Sequence, residues 1–354
     1  MGLCTWLGGI QSATRTADPA GTAATSRWDT KTLLDSILQD TSLEKGAFAP
    51  DGGKPAEAVD LIPLYPKPGP SNESDGNELD DDPRYQVFRL NSRFLRNERL
   101  VRVYLPEAYL QEPDRSFPVL YLHDGQNLFD PRTAYLRGHT WRAQSTADRT
   151  TREGRTRPMI LVGLDNTGMR RMAEYTPTRD PIRGGGEGEL YGKLLVEELR
   201  PALAAKFRVL DGPENTGLGG SSLGGLISLA LGLEYPSVFG QLAVMSPSLW
   251  WNNRSVFEWL AQRAPLKTSR IRPRFAPPPR EFPHPRLWLD MGTHEGLRHV
   301  RDADMLHRRL LDRGWRDGVD LRYLKVPGGL HNEDAWAARF DQMLSFLFPA
   351  GPGL

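Results

Sequence analysis

Residues 219–225 read GGSSLGG. A hydroxyl set among glycines suits three jobs: a slack linker, a turn that cradles phosphate, or a nucleophile on a sharp bend. The flanks separate them. A linker would not run directly into LISLALGLEY, an apolar stretch with the look of a helix. A Walker-type loop needs Lys and then Ser or Thr after its last glycine, and here Leu226 follows Gly225. GLGGSSLGG has glycines near dinucleotide-loop spacing, but no matching strand–helix–strand unit with a ribose-binding acid accompanies it. The nucleophile elbow, G-x-S-x-G between a strand and a helix, fits as Gly220–Ser221–Ser222–Leu223–Gly224. Moving the frame to Ser221 puts Leu223 where the second glycine belongs, so Ser222 is the apex and Ser221 a small spacer. A purely structural Gly/Ser turn is the bland alternative. In the elbow reading the N–H of Leu223 opens a helix, where developing negative charge is stabilised.

A serine hydroxyl is a weak nucleophile and needs a base within reach, most often a neutral imidazole. Downstream of Ser222 stand His284, His294, His299, His307 and His331. His284 lies in a Pro/Arg-rich stretch, and His299 and His307 fall on or near a charged helix pattern, where a surface role is expected. His331 follows the last strand pattern in LKVPGGLHNEDAW, after a glycine turn and before a helix, which is where a base belongs. An acid would come from the preceding strand, RLWLDMG, and its turn. Asp290 and Glu295 are both candidates. His294–Glu295 with His299 looks like H-E-x-x-H but is one residue too long, with Arg298 in the second histidine's place, so the two rings would not share a helix face. Cys4 is the single cysteine, which rules out a cysteine cage for zinc. No metal and no cofactor are expected.

The elements that must hold these groups are legible. The chain has 354 residues, 39% hydrophobic and 25% charged, with a net charge of +1. That balance gives no field for nucleic acid or an anionic membrane. No apolar run approaches a membrane span, and the first residues lack a basic n-region, so a cytoplasmic protein is expected. Residues 1–83 are low-complexity and acidic near their end, and are expected to be a largely disordered extension with one short helix near 31–40. From residue 84 to 350, short apolar strands (RLVRVYLP, FPVLYLHDG, PMILVGLDN, TGLGGSS, GQLAVMSP, RLWLDMG, LRYLKVP) alternate with helix patterns. This is α/β architecture: a mostly parallel central sheet with helices on both faces. Ligands in such sheets sit at the carboxyl ends of the strands.

GLGGSSLGGLISLALGLEYPSVFGQLAVMSPSLWW resembles the esterase D- and enterochelin esterase-like group of α/β-hydrolases. FPVLYLHDGQNLFD, PMILVGLDNTGMRRMAEYTPTRD, GGGEGELYGKLLVEELRPALAAKFRV, LDMGTHEG and GGLHNEDAWAARF extend the likeness, in order, over most of residues 84–350. The resemblance implies an α/β-hydrolase fold and a serine carboxylic-ester hydrolase acting on a small-molecule ester through an acyl-enzyme. It places the acid in a G-T-x-[DE] turn, hence at Glu295, with Asp290 as the alternative, and His331 as base. It implies a second oxyanion donor at the backbone of Gln126, with Asp124 bracing that loop or the elbow and His123 as its neighbour. It makes Arg170, Arg171, Glu174 and Tyr175 a rim segment, with an arginine able to grip a polar or anionic substrate; a solvated, salt-bridged surface is the alternative. Trp250 and Trp251, after the strand that follows the elbow, are candidates to wall an acyl or aryl pocket, with capping of the core as the alternative. An acyltransferase on the same triad, and a non-catalytic binding protein on the same fold, are the alternatives.

Overall fold

The computed structural model describes residues 59–64, 78–264 and 284–351. The short helix expected at 31–40 lies outside the described residues. Nine strands form one sheet: β1 (Ile62–Pro63), β2 (Tyr85–Ser92), β3 (Asn97–Tyr104), β4 (Val119–His123), β5 (Ile160–Leu164), β6 (Thr216–Ser221), β7 (Gln241–Met245), β8 (Arg286–Gly292) and β9 (Leu321–Val326). Their order across the sheet is β1-β2-β3-β5-β4-β6-β7-β8-β9. The pairs from β5 to β9 are parallel, and β1, β2 and β3 add an antiparallel edge.

The parallel strands are buried along both faces, as their unbroken apolar runs require. Val119 and Tyr121 of β4 join one core while Leu120 and Leu122 join the other, and β7 divides likewise between Leu242/Val244 and Ala243/Met245. The first core is closed by the helices Leu223–Glu234, Val256–Arg263 and Leu297–Asp312 and the helical run over residues 188–206. The second is closed by Ala143–Arg152 and Glu333–Leu347.

The ordered sheet begins upstream of residue 84. Ile62 and Pro63 pair with Arg89 and Phe88, Leu61 is fully buried in the first core, and Asp80 accepts a two-pronged ion pair from Arg132. A single buried leucine inside a polar, Pro-rich stretch carries too little periodicity to be read as part of a fold.

Candidate active site

The elbow takes one residue. β6 ends at Ser221, the next helix begins at Leu223, and Ser222 between them has φ 60° and ψ −122°. A side chain other than glycine's rarely holds such a positive φ, and here neighbouring segments fix it. The Ser222 N–H donates to the Met245 carbonyl at 3.1 Å, and its carbonyl accepts from Ser248 at 2.9 Å and Leu226 at 3.1 Å. The glycines are required by close approach. A Cβ on Gly220 would fall 2.9 Å from Cδ2 of His123, and one on Gly225 would fall 2.7 Å from the Met245 carbonyl oxygen. Leu223 occupies the first turn of its helix, where an N–H has no intrahelical acceptor.

His331 and Glu295 are brought together. Nδ1 of His331 lies 2.6 Å from Oε2 of Glu295. The carboxylate is tucked in at 2% exposure while the ring is 44% exposed and packs edge-on to Trp336, centroids 5.0 Å apart. The other carboxylate oxygen, Oε1, accepts from Ser246 Oγ at 2.6 Å and from the Gly292 N–H at 2.8 Å. Burial alone would raise the Glu295 pKa. The bonds from His331, Ser246 and Gly292 outweigh it and hold the carboxyl below its ordinary range. Asp290 is fully buried and does something different: its Oδ1 pairs with Arg339 at 2.8 Å and its Oδ2 accepts from Trp288 Nε1 at 2.7 Å. Desolvation pushes its pKa up in spite of these partners.

Ser222 Oγ has Ser248 Oγ as its hydrogen-bond partner, at 3.3 Å. Among the described residues no hydrogen bond joins Ser222 to His331.

The loop after β4 is pinned from several sides. Asp124 sits in the left-handed region at φ 57°, and its carboxylate is clamped by Arg171 through two contacts of 2.7 Å and by Asn166 Nδ2 at 2.7 Å. The Asp124 N–H donates to Tyr175 Oη at 3.2 Å, and the Gln126 side chain accepts from the Asn166 N–H at 3.2 Å. These contacts fix the backbone at Gln126. Most of the expected rim segment is therefore scaffold. Arg171 is held by Asp124, Tyr175 is fully buried, and Glu174 is fully buried and accepts from Arg99, Asn97 and Thr167. Arg170 is exposed and paired with Glu187 at 2.6 Å. The tryptophans also divide. Trp251 is 1% exposed and donates to the Thr178 carbonyl at 2.8 Å, so it caps the core. Trp250 lines a cleft of about 760 Å³ together with Asp180, Arg183, Asn253, Arg298 and His299. The Arg183 guanidinium lies 5.4 Å from the Trp250 ring centroid. Ser222 and His331 are not among the residues of that cleft, which flanks the elbow through the 248–251 turn. Of the other histidines, His284 stacks on Trp315 at 4.2 Å and His307 lies beside Tyr323. No group of three or more His, Cys, Asp or Glu poised for a metal ion occurs among the described residues. No helix among them is long and apolar enough to cross a membrane.

His123, beneath the elbow, is 1% exposed, with Nδ1 2.8 Å from Tyr191 Oη. Burial pulls its pKa down to about 3, against the opposing charge of Asp124. In the unfolded chain the same ring takes a proton near pH 6.5. Between those values the unfolded state holds one more proton, so this residue's contribution to stability is complete above about pH 6.5 and is lost as pH falls toward 3. The expected slope is about 1.4 kcal/mol per pH unit. In urea unfolding from pH 4 to 6, the slope of stability against pH should be smaller in His123→Asn than in the native protein by up to about that amount. An unchanged slope in the variant would assign the proton to another group.

The family described as "Putative esterase" matches residues 92–347. The chain belongs to that family. It is a serine-type carboxylic-ester hydrolase. The chain is similar to the Bacillus subtilis protein YbbA, 25% identical over 264 residues, 71% of this chain and 92% of that one. It is also similar to the ferri-bacillibactin esterase BesA of the same organism, 26% identical over 188 residues, 48% of this chain and 60% of that one. Among solved structures, the BES protein from Bacillus cereus superposes with a TM-score of 0.58 at 21% identity, covering 75% of this chain and 95% of that one. That likeness shows the α/β-hydrolase fold.

Four residues of the site escaped sequence reasoning: Ser246, Ser248, Trp336 and Arg339. For Arg339 a signal was present. In Glu333–Leu347 the apolar stripe runs Trp336, Phe340, Met343, Leu344 and Leu347, and Arg339 falls on that face. A charge on a buried stripe demands a buried partner.

Proposed function

We propose that the enzyme cleaves small-molecule esters through an acyl-enzyme on Ser222, with His331 as general base and Glu295 as the acid that orients it. The His331–Glu295 contact of 2.6 Å, at the same rim as a serine held in a strained one-residue elbow, carries this reading. With Nδ1–H donated to Glu295, the Nε2 of a neutral ring is left bare to accept a proton. As substrate enters, Ser222 Oγ leaves Ser248 and gives its proton to Nε2 while forming a bond to the ester carbonyl carbon. Such contacts commonly tighten only in the Michaelis complex. The tetrahedral oxyanion is held by the N–H groups of Leu223 and Gln126. His331 then passes the proton to the leaving alcohol oxygen as the carbon–oxygen bond breaks. Water, deprotonated by the same ring, attacks the acyl carbon; the carbon–Oγ bond then breaks, the acid leaves, and His331 returns the proton to Ser222 Oγ. The half-exposed ring leaves water a path, which favours hydrolysis over transfer to a second alcohol.

The substrate class we assign is a siderophore-type ester with an aryl, anionic portion. Trp250 offers a stacking face, Arg298 supplies positive charge in the same cleft, where Arg183 is paired with Asp180 at 3.4 Å, and the relative BesA is named for ferri-bacillibactin.

A fluorophosphonate adduct, mapped by tandem mass spectrometry, decides the nucleophile. The adduct is expected on Ser222 and on neither Ser221 nor Ser248, both of which are buried. An adduct at another serine, or none with active enzyme, overturns the assignment. In the same assay a catecholate trilactone should be turned over with a higher kcat/KM than an uncharged alkyl ester of similar size.

A further inference from the structure

Ser246 follows β7 and has a left-handed backbone, φ 39°. Its hydroxyl meets three partners. It is 3.1 Å from Trp336 Nε1, 2.7 Å from Arg339 Nη2 and 2.6 Å from Glu295 Oε1. An indole N–H and a guanidinium N–H can only donate, and a hydroxyl has two acceptor sites and one proton. Both lone pairs are therefore filled, and the one remaining proton must point at Glu295. Its direction is dictated by its neighbours.

Arg339, 2% exposed, carries the only full positive charge bonded to this serine among the described residues, and it also lies 3.8 Å from Glu295 Oε1. Left alone, it would draw on the charge of Glu295. Asp290 prevents that: it is 2.8 Å from the same Nη2 and accepts the Ser246 N–H at 3.1 Å. Asp290 and Arg339 cancel, and the charge of Glu295 is left facing His331. The nearby titratable groups on the adjoining segments are His294 on the Glu295 turn, Glu333, which accepts from Asn127 at 3.2 Å, and Asp334, which pairs with His139 at 2.6 Å.

We propose that Ser246, Arg339 and Asp290 form a positioning relay that fixes the rotamer of Glu295 and reserves its charge for the imidazolium of His331. The relay rests on the reading of His331 and Glu295 as base and acid. It gives Asp290, the alternative acid at the sequence level, a role at one remove from the reacting atoms.

The test uses the full chain and p-nitrophenyl acetate. Ser246→Ala should lower kcat about tenfold with KM changed by less than twofold, because the hydroxyl touches no substrate. In Asp290→Asn the uncancelled Arg339 charge disfavours imidazolium, so the acidic limb of the kcat/KM profile should move to lower pH by about half a unit or more. A structural lesion would lower activity at every pH without moving the limb. Arg339→Lys, which keeps the charge, should leave the limb in place. Wild-type kcat in Ser246→Ala overturns the relay, and so does an unmoved limb in folded Asp290→Asn. If Asp290→Asn does not fold, Ser246→Ala decides alone. Fluorophosphonate labelling at Ser222 is run in parallel. Its absence from the wild-type enzyme sinks the acyl-enzyme reading itself, whereas labelling with a silent Ser246→Ala sinks only the relay.

Discussion

Ser222→Ala is expected to lower kcat by about 10⁴–10⁶-fold, and His331→Ala by a similar factor. The two losses should not multiply in the double variant. Once the nucleophile is gone, the base has no proton to take, so the groups act as one unit. KM should stay within a few-fold in each single variant, since neither group is asked to bind the ground state. A remainder above the uncatalysed rate is expected, from the N–H groups of Leu223 and Gln126, which neither substitution touches. Ser222→Ala leaves the backbone at φ 60° with a Cβ of the same size, so the elbow should keep its shape. A steady-state assay with enough enzyme to read a 10⁵-fold loss checks this, with circular dichroism to establish folding. Turnover within tenfold of wild type in Ser222→Ala would require a different nucleophile.

The elbow was legible because each residue there has one allowed job. Glycines 220 and 225 admit no Cβ, and Ser222 alone satisfies the spacing. The placement of His331 was legible for a similar reason, since it stands between a glycine turn and a helix start. The parallel strands were legible because burial on both faces leaves unbroken apolar runs. β2 was not, since it is antiparallel, lies near the sheet edge and mixes Arg89 and Asn91 with its buried residues. Most of the segment 170–175 is built into the scaffold in a way that its residue types do not reveal. Arg171, Glu174 and Tyr175 are polar enough to look like a rim, yet each is turned inward to a partner more than forty residues away: Asp124, Arg99 and the Asp124 N–H. Sequence carries no mark of such pairings. The same holds for Ser246, whose importance arises only when β7, the turn after β8 and the last helix converge on one oxygen.

Glu295→Gln should lower kcat by about 10³–10⁴-fold, much more than Asp290→Asn. The size follows from where the amide must point. At the Oε1 position Ser246 Oγ and the Gly292 N–H both donate, so only an oxygen is welcome there. The new NH₂ is therefore forced into the Oε2 position, facing Nδ1 of His331. An NH₂ donates, and Nδ1 must then accept. The ring's single proton moves to Nε2, which can no longer receive the proton of Ser222. The variant is thus locked in the wrong tautomer by groups that remain intact. Releasing that lock should restore part of the rate: with Ser246→Ala added, one of the two donors holding the amide is gone and the carboxamide can turn its oxygen to the ring. Glu295→Gln/Ser246→Ala is accordingly expected to be faster than Glu295→Gln alone, although each change by itself is harmful. Proton NMR of the ring nitrogens distinguishes the tautomers directly. An Nδ1 proton persisting in Glu295→Gln at full activity would mean that Glu295 does not set the ring, and a larger loss in Asp290→Asn than in Glu295→Gln would transfer the acid's role to the buried aspartate.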